Sequence, residues 1–122
     1  MGIVYHPNYY IYFEIGRSEY LREMSGMSYK DMEDAGVMMP IIETHCKYLS
    51  PAKYDDELIV LTSIKALTVA RMIFLYKVIR KKDRTVLAEG ETSQAFVNKE
   101  GKPINLKKYN KEFYDKLHCF LV

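Results

Sequence analysis

The sequence predicts an α+β domain in which a curved antiparallel sheet wraps around one long helix. Two observations carry that reading. An apolar stripe with spacings of three and four runs from Asn8 to Met24. Three long stretches rich in Ile, Val, Leu, Thr, Phe and Tyr then follow one another with only turns between them.

The helix comes first. Tyr9, Tyr12, Phe13, Gly16, Tyr20 and Met24 form its stripe, and Tyr10, Ile11, Ile15 and Leu21 add apolar surface outside it. Glu14, Arg17, Ser18, Arg22 and Glu23 fall opposite and are expected to face water. Pro7 suits a first helical turn, where its missing N–H costs nothing, and Ser25-Gly26 ends the segment. "SYKDMEDAG" reads as a short helix capped by Ser28, with Asp31 as capping-box partner and Gly36 as its stop.

The rhythm then changes. "VMMPIIETHCKYL" (37–49) is a first strand, with Pro40 at an edge or bulge, and "PAKYDD" is a turn. "ELIVLTSIKALT", "ARMIFLYKVIRK" and "TVLAEGETSQAFVN" are three strands long enough to twist and curl. Gly90, inside the last of them, marks a bulge or a close approach. "NLKKYNKEFYDKL" is a terminal helix with Tyr109, Phe113 and Leu117 on one face. As read, the sheet's first strand is missing or shortened, because nothing N-terminal pairs with it.

Composition narrows the function. A chain of 122 residues, 48% hydrophobic and 28% charged, is one globular domain spanning 1–122. Eighteen Lys and Arg against sixteen Asp and Glu leave +2, which argues against a nucleic-acid partner held by phosphate neutralisation. Cys46 and Cys119 lack metal-site spacing and read as reduced thiols of a cytoplasmic protein. No apolar run approaches the ~20 residues of a transmembrane segment. Eleven tyrosines and no tryptophan place many hydroxyls at the edge of a core or interface, where they need partners.

Three blocks, "GIVYHPNYYIYFEIGRSEYL", "YLSPAKYDDELIVLTSI" and "AEGETSQAFVNKEGKPINL", occur in that order between Met1 and about Leu106. Together they resemble the acyl-CoA thioesterases of the hotdog fold, in the branch of the 4-hydroxybenzoyl-CoA and Tol–Pal-associated enzymes. The first block is the specific one; the others are mostly fold signals. The resemblance implies protomers paired side by side in a homodimer or homotetramer, with active sites between them. It implies an acyl-CoA or acyl-carrier-protein thioester as substrate and water as acceptor. No metal is implied, and no cofactor beyond the coenzyme A of the substrate. In the family an Asp acting as base or nucleophile stands three residues before the Gly matched by Gly2, a position ahead of Met1. A start assigned at the family's Met, rather than a lost acid, is the favoured expectation.

Thioester hydrolysis requires activation of water and donors for the oxyanion on the carbonyl. Backbone N–H groups at a helix N-terminus suit the second role. By the resemblance, the N–H of His6 polarises the carbonyl and its imidazole takes part. From the residues alone, a helix-start histidine bonded to a nearby carbonyl serves equally well. Asn8 is a local cap or a pocket donor. Tyr9 is a pocket residue or a buried ring with a satisfied hydroxyl. The resemblance places Met39 in the acyl pocket and Arg71 near the coenzyme's phosphates. Lys99, or the run Arg80, Lys81 and Lys82, could supply further phosphate contacts, although such a run is commonly a solvated hairpin turn.

Other acids and nucleophiles read more plainly. Glu14 and Glu19 could replace a missing acid, but solvated or ion-paired carboxylates are the commoner outcome. Asp55 and Asp56 belong to a turn. His45 and Cys46 alternate along a strand and so point to opposite faces. A non-catalytic module that binds acyl-CoA or an acyl carrier protein is the second reading. A dehydratase is disfavoured, because no His-Phe-Pro motif is present.

Overall fold

The computed structural model describes residues 8–119, with only the backbone of Met24 and Ser25. Helix α1 (Asn8–Ser25) is followed by α2 (Tyr29–Asp34), and then by strands β1 (Ile41–Tyr48), β2 (Leu58–Leu67), β3 (Arg71–Arg80) and β4 (Val86–Ala95). Two short helices, α3 (Leu106–Tyr109) and α4 (Lys111–His118), close the described chain. All strand pairs are antiparallel, in the order β1-β4-β3-β2. After β1 the chain crosses to the far edge, and two hairpins bring β4 back beside β1. The expectation that a strand ahead of α1 is missing or shortened concerns residues before Asn8, outside the described residues.

Packing of α1 corrects the predicted stripe. Its buried row is Tyr9, Phe13, Arg17 and Leu21, each four residues from the last. Arg17, expected in water, is 8% exposed, and Leu21 lies in the core rather than outside the stripe. The sheet answers with Met72, Phe74, Tyr76 and Val78, alternate residues of β3 that are all buried. Phe13 and Tyr76 stack with ring centroids 4.5 Å apart, 18° from parallel.

The two glycines at this contact let the layers meet. Gly90 pairs with Tyr76 on one side and Cys46 on the other, so the ladder runs through it without a bulge. The Phe13 ring occupies the space a Cβ at Gly90 would need. Of the two readings of Gly90, close approach is correct; the sheet's irregularities lie at Ile41/Glu43, Ile64/Ala66 and Val78/Ile79. Gly16 lies equally close to β2, where a Cβ would be 2.5 Å from Thr62 Oγ1 and 3.0 Å from Val60 Cγ1.

The flanking elements follow local rules. Ser28 and Asp31 form the expected capping box, and Gly26 and Gly36 take the positive φ that ends each helix. The first strand is shorter than predicted. Val37 is core, Met38 makes an isolated bridge to Val97, and Pro40 precedes β1 at the sheet edge. The terminal helix divides in two at Asn110, whose φ of −150° is not helical and whose side chain accepts the Phe113 N–H. That break turns Tyr109 outward, 49% exposed, while Leu106, Phe113 and Leu117 stay in the core. Among the described residues no helix is long and apolar enough to cross a membrane.

Two stability measurements follow from this packing. Gly90→Ala forces Phe13 off Tyr76 and should lower the urea-unfolding free energy by about 1–3 kcal/mol, the usual range for overpacking; an unchanged midpoint would rule out the contact. Thr62 Oγ1 is buried without a hydrogen-bond partner among the described residues. Thr62→Val keeps the shape and removes that hydroxyl, and should raise stability by about 1 kcal/mol in the same titration.

Candidate active site

A groove runs along α1 where its side faces β1 and β4. Tyr10, Ile11, Glu14, Arg17 and Ser18, which recur at helical spacing, form one wall. Ile41 and Thr44 of β1, Thr92 and Gln94 of β4, and Met39 form the other. The space is a larger cavity of about 680 Å³ and a smaller one of about 270 Å³, which share Glu14, Arg17 and Ile41. The smaller cavity includes Tyr10, two residues from the start of α1, and the larger reaches Met39, Pro40 and Lys99.

A polar network lines the inner wall. Gln94 Nε2 donates to the Met39 carbonyl at 2.8 Å, and its Oε1 accepts from the Tyr29 hydroxyl at 3.2 Å. Tyr76 and Thr92 share a hydroxyl bond of 2.6 Å. Burial pushes the Tyr29 phenol up to about 12 and raises that of Tyr76 too, while the nearby Arg17 cation pulls both in the opposite direction. These hydroxyls therefore stay protonated and donate or accept as neutral groups. Arg17, Tyr29, Thr92 and Gln94 were not singled out from the sequence. Arg17 had a usable signal, since it falls four residues after Phe13 and four before Leu21.

The expected site residues divide. Met39 and Lys99 both line the larger cavity. His6 lies outside the described residues. Asn8 is the first residue of α1 and half-buried. Tyr9 is 2% exposed, edge-on to Tyr12 and Tyr48, with its hydroxyl raised by burial and bonded to the backbone of Ala52. Of its two readings the structure matches the buried ring. Arg71 is exposed at the start of β3, away from the larger cavity, and its N–H donates to Thr68 Oγ1 in the preceding turn.

Of the basic run, Arg80 is already engaged. Its guanidinium reaches Asp56 and Asp83 at 3.0 Å each and the Pro51 carbonyl at 2.9 Å, tying one end of the β2–β3 pair to the loops beside it. Lys81 pairs with Glu57 at the surface. Asp56 is a turn acid, as read, accepting the Lys53 N–H at 2.8 Å. His45 is exposed beside Glu43, whereas Cys46 faces the core, and burial raises its thiol pKa, so this pair is divided between the faces. Glu19 pairs with Arg22, while Glu14 stays on the groove wall.

With this geometry in view, the chain's relatives are informative. Residues 1–117 match the family described as the Thioesterase-like superfamily, and the chain belongs to it. A protein of Aquifex aeolicus, provisionally named an esterase, is 35% identical over 107 residues, 88% of this chain and 80% of its own. YneP of Bacillus subtilis, provisionally named an acyl-CoA thioesterase, is 31% identical over 109 residues, 88% of this chain and 78% of its own. The DHNA-CoA thioesterase of Staphylococcus aureus superposes with a TM-score of 0.90 at 27% identity, covering 98% of this chain and 79% of that one. The sheet wrapped on α1 is the hotdog fold.

The acidic side chains give a pH test. Asp31, Asp56 and Asp83 are held below the ordinary carboxylate range, by the Ser28 N–H, the Lys53 N–H and the Thr85 hydroxyl first, with Arg80 adding to the last two. The folded chain thus binds fewer protons than the unfolded one as pH drops below about 4. Stability should be full above that point and decline as pH falls through the depressed values. Urea midpoints measured from pH 6 to pH 2 should show this decline, and Asp56→Asn should flatten it; an equal slope in the variant would count against the Asp56 contribution.

Proposed function

We propose that the chain hydrolyses an acyl-CoA thioester to the free acid and coenzyme A. The observation that carries this reading is the groove, which begins beside the start of α1, presents Tyr10, Ile11 and Ile41 as apolar surface along its length, and extends to Met39. The first N–H groups of a helix lack intrahelical acceptors and sit at the positive end of its dipole. A thioester carbonyl laid there meets donors matched to its developing oxyanion. Its acyl group then lies past Tyr10 and Ile11 towards Met39. Water adds to the carbonyl carbon, the C–S bond breaks, and the sulfur leaves as thiolate and takes up a proton.

Within this proposal His6 acts through its N–H and imidazole, with Asn8 beside it. Because the resemblance places active sites between protomers, Lys99 and Arg71 are proposed to meet the phosphates of a coenzyme whose acyl group lies in the partner protomer's groove. Met39 shapes the acyl pocket. Ile41, Ile42 and Leu49, exposed along β1 and just after it, offer apolar surface to a second protomer, so a homodimer or a pair of them is proposed. The opening motif supports placing the chain in the 4-hydroxybenzoyl-CoA and Tol–Pal-associated branch, and the low cysteine content supports a cytoplasmic location.

Thiol release from a panel of short, long and aromatic acyl-CoAs tests the reading. Turnover is expected, and His6→Ala should reduce kcat by about 100-fold or more if its imidazole moves a proton in the reaction. Acyl-CoA binding with no thiol released, by this chain and equally by one carrying the in-frame residues encoded ahead of Met1, would refute hydrolysis and leave a binding module.

A further inference from the structure

Arg17 is a buried cation whose charge the fold leaves unneutralised. It is 8% exposed, yet no carboxylate among the described residues lies within ion-pair distance of it. Its neighbours are the hydroxyls of Tyr29 and Tyr76, which are neutral. A charge withdrawn from water without a counter-ion is costly to keep. Arg17 also lines both cavities, so a molecule in the groove must pass it. The other charged groups on the larger cavity, Glu14, Glu33 and Lys99, are exposed and remain hydrated.

We propose that Arg17 determines specificity by pairing with a carboxylate at the far end of the acyl group, so that the preferred substrates are thioesters of dicarboxylic acids. The inference rests on the groove being the acyl site. Along it, the thioester lies near the start of α1, Tyr10 and Ile11 flank the methylenes, and Arg17 follows within two turns of Tyr10 on the same helix face. The planar fork of a guanidinium matches a carboxylate with two parallel N–H···O bonds. Tyr29, fixed by Gln94, and Tyr76, fixed by Thr92, hold the cation in place.

The test uses two non-hydrolysable thioethers with matched carbon counts, S-(4-carboxybutyl)-CoA and S-pentyl-CoA, titrated calorimetrically into the full chain. The carboxylate ligand should bind at least about tenfold more tightly, the low end for a charge-assisted pair. Arg17→Gln should abolish that ratio while leaving S-pentyl-CoA affinity within about threefold, and Arg17→Lys should restore part of it. A ratio of one in the unmodified protein, or a ratio unchanged in Arg17→Gln, overturns the inference. Should the variant not fold, the Arg17 Nε–H resonance of the unmodified protein decides. It should shift with the carboxylate ligand and not with the pentyl one, and equal responses overturn the inference. Because neither ligand is hydrolysed, the readouts are independent of turnover. Absent thiol release refutes the reaction alone, a ratio of one with active turnover refutes the Arg17 role alone, and failure of both ligands to bind refutes both.

Discussion

The contact of Phe13 with Tyr76 over Gly90 sets the distance between α1 and the sheet. A stacked pair of rings needs a flat, unobstructed floor, and only a residue without Cβ provides it in the middle of β4. With that distance fixed, Gly16 comes close to β2, Phe74 reaches Tyr20 edge-on, and Arg17 comes near the Tyr76 hydroxyl. The groove on the other side of α1 inherits its width from the same contact. Core packing and binding geometry are therefore a single constraint here.

The polar lining of the groove depends on burial more than on charge. Tyr29, Tyr76, Thr92 and Gln94 satisfy one another, and the Gln94 amide bridges to the backbone at Met39. These two bonded pairs flank Arg17, the one buried cation among the described residues, without neutralising it. An apolar floor there would leave Arg17 free to turn outward into water, as long side chains with apolar stems readily do.

The sequence made the large features legible. Hydrophobic spacing located α1 and the four strands, and capping residues located α2, because those signals are local and repeat over many residues. Failures arose where a tertiary contact overrode the local one. Arg17 was assigned to water by its chemistry, although its position on the row of Tyr9, Phe13 and Leu21 faces the core. Asn110 splits a continuous apolar periodicity by acting as a cap, which periodicity alone does not register. Of the candidate site, Met39 was visible through family resemblance and Lys99 only as a basic residue read as a phosphate contact; both line the larger cavity. The tyrosine and glutamine network was not, because its members lie on α2, β3 and β4 and meet only after folding.

Strand order has a final consequence for the groove. The β2–β3 and β3–β4 pairings close short hairpins, whereas β1 reaches β4 across a separation of roughly forty residues, at an entropic cost greater by about 2 kcal/mol. Within the described sheet β1 is also hydrogen-bonded on one side only, and most of its residues are exposed. It is thus the strand whose detachment forfeits least and regains most chain freedom. The groove has one rigid wall, the helix seated on its ring stack, and one wall of low local stability. Breathing of that second wall would widen the groove without disturbing the core.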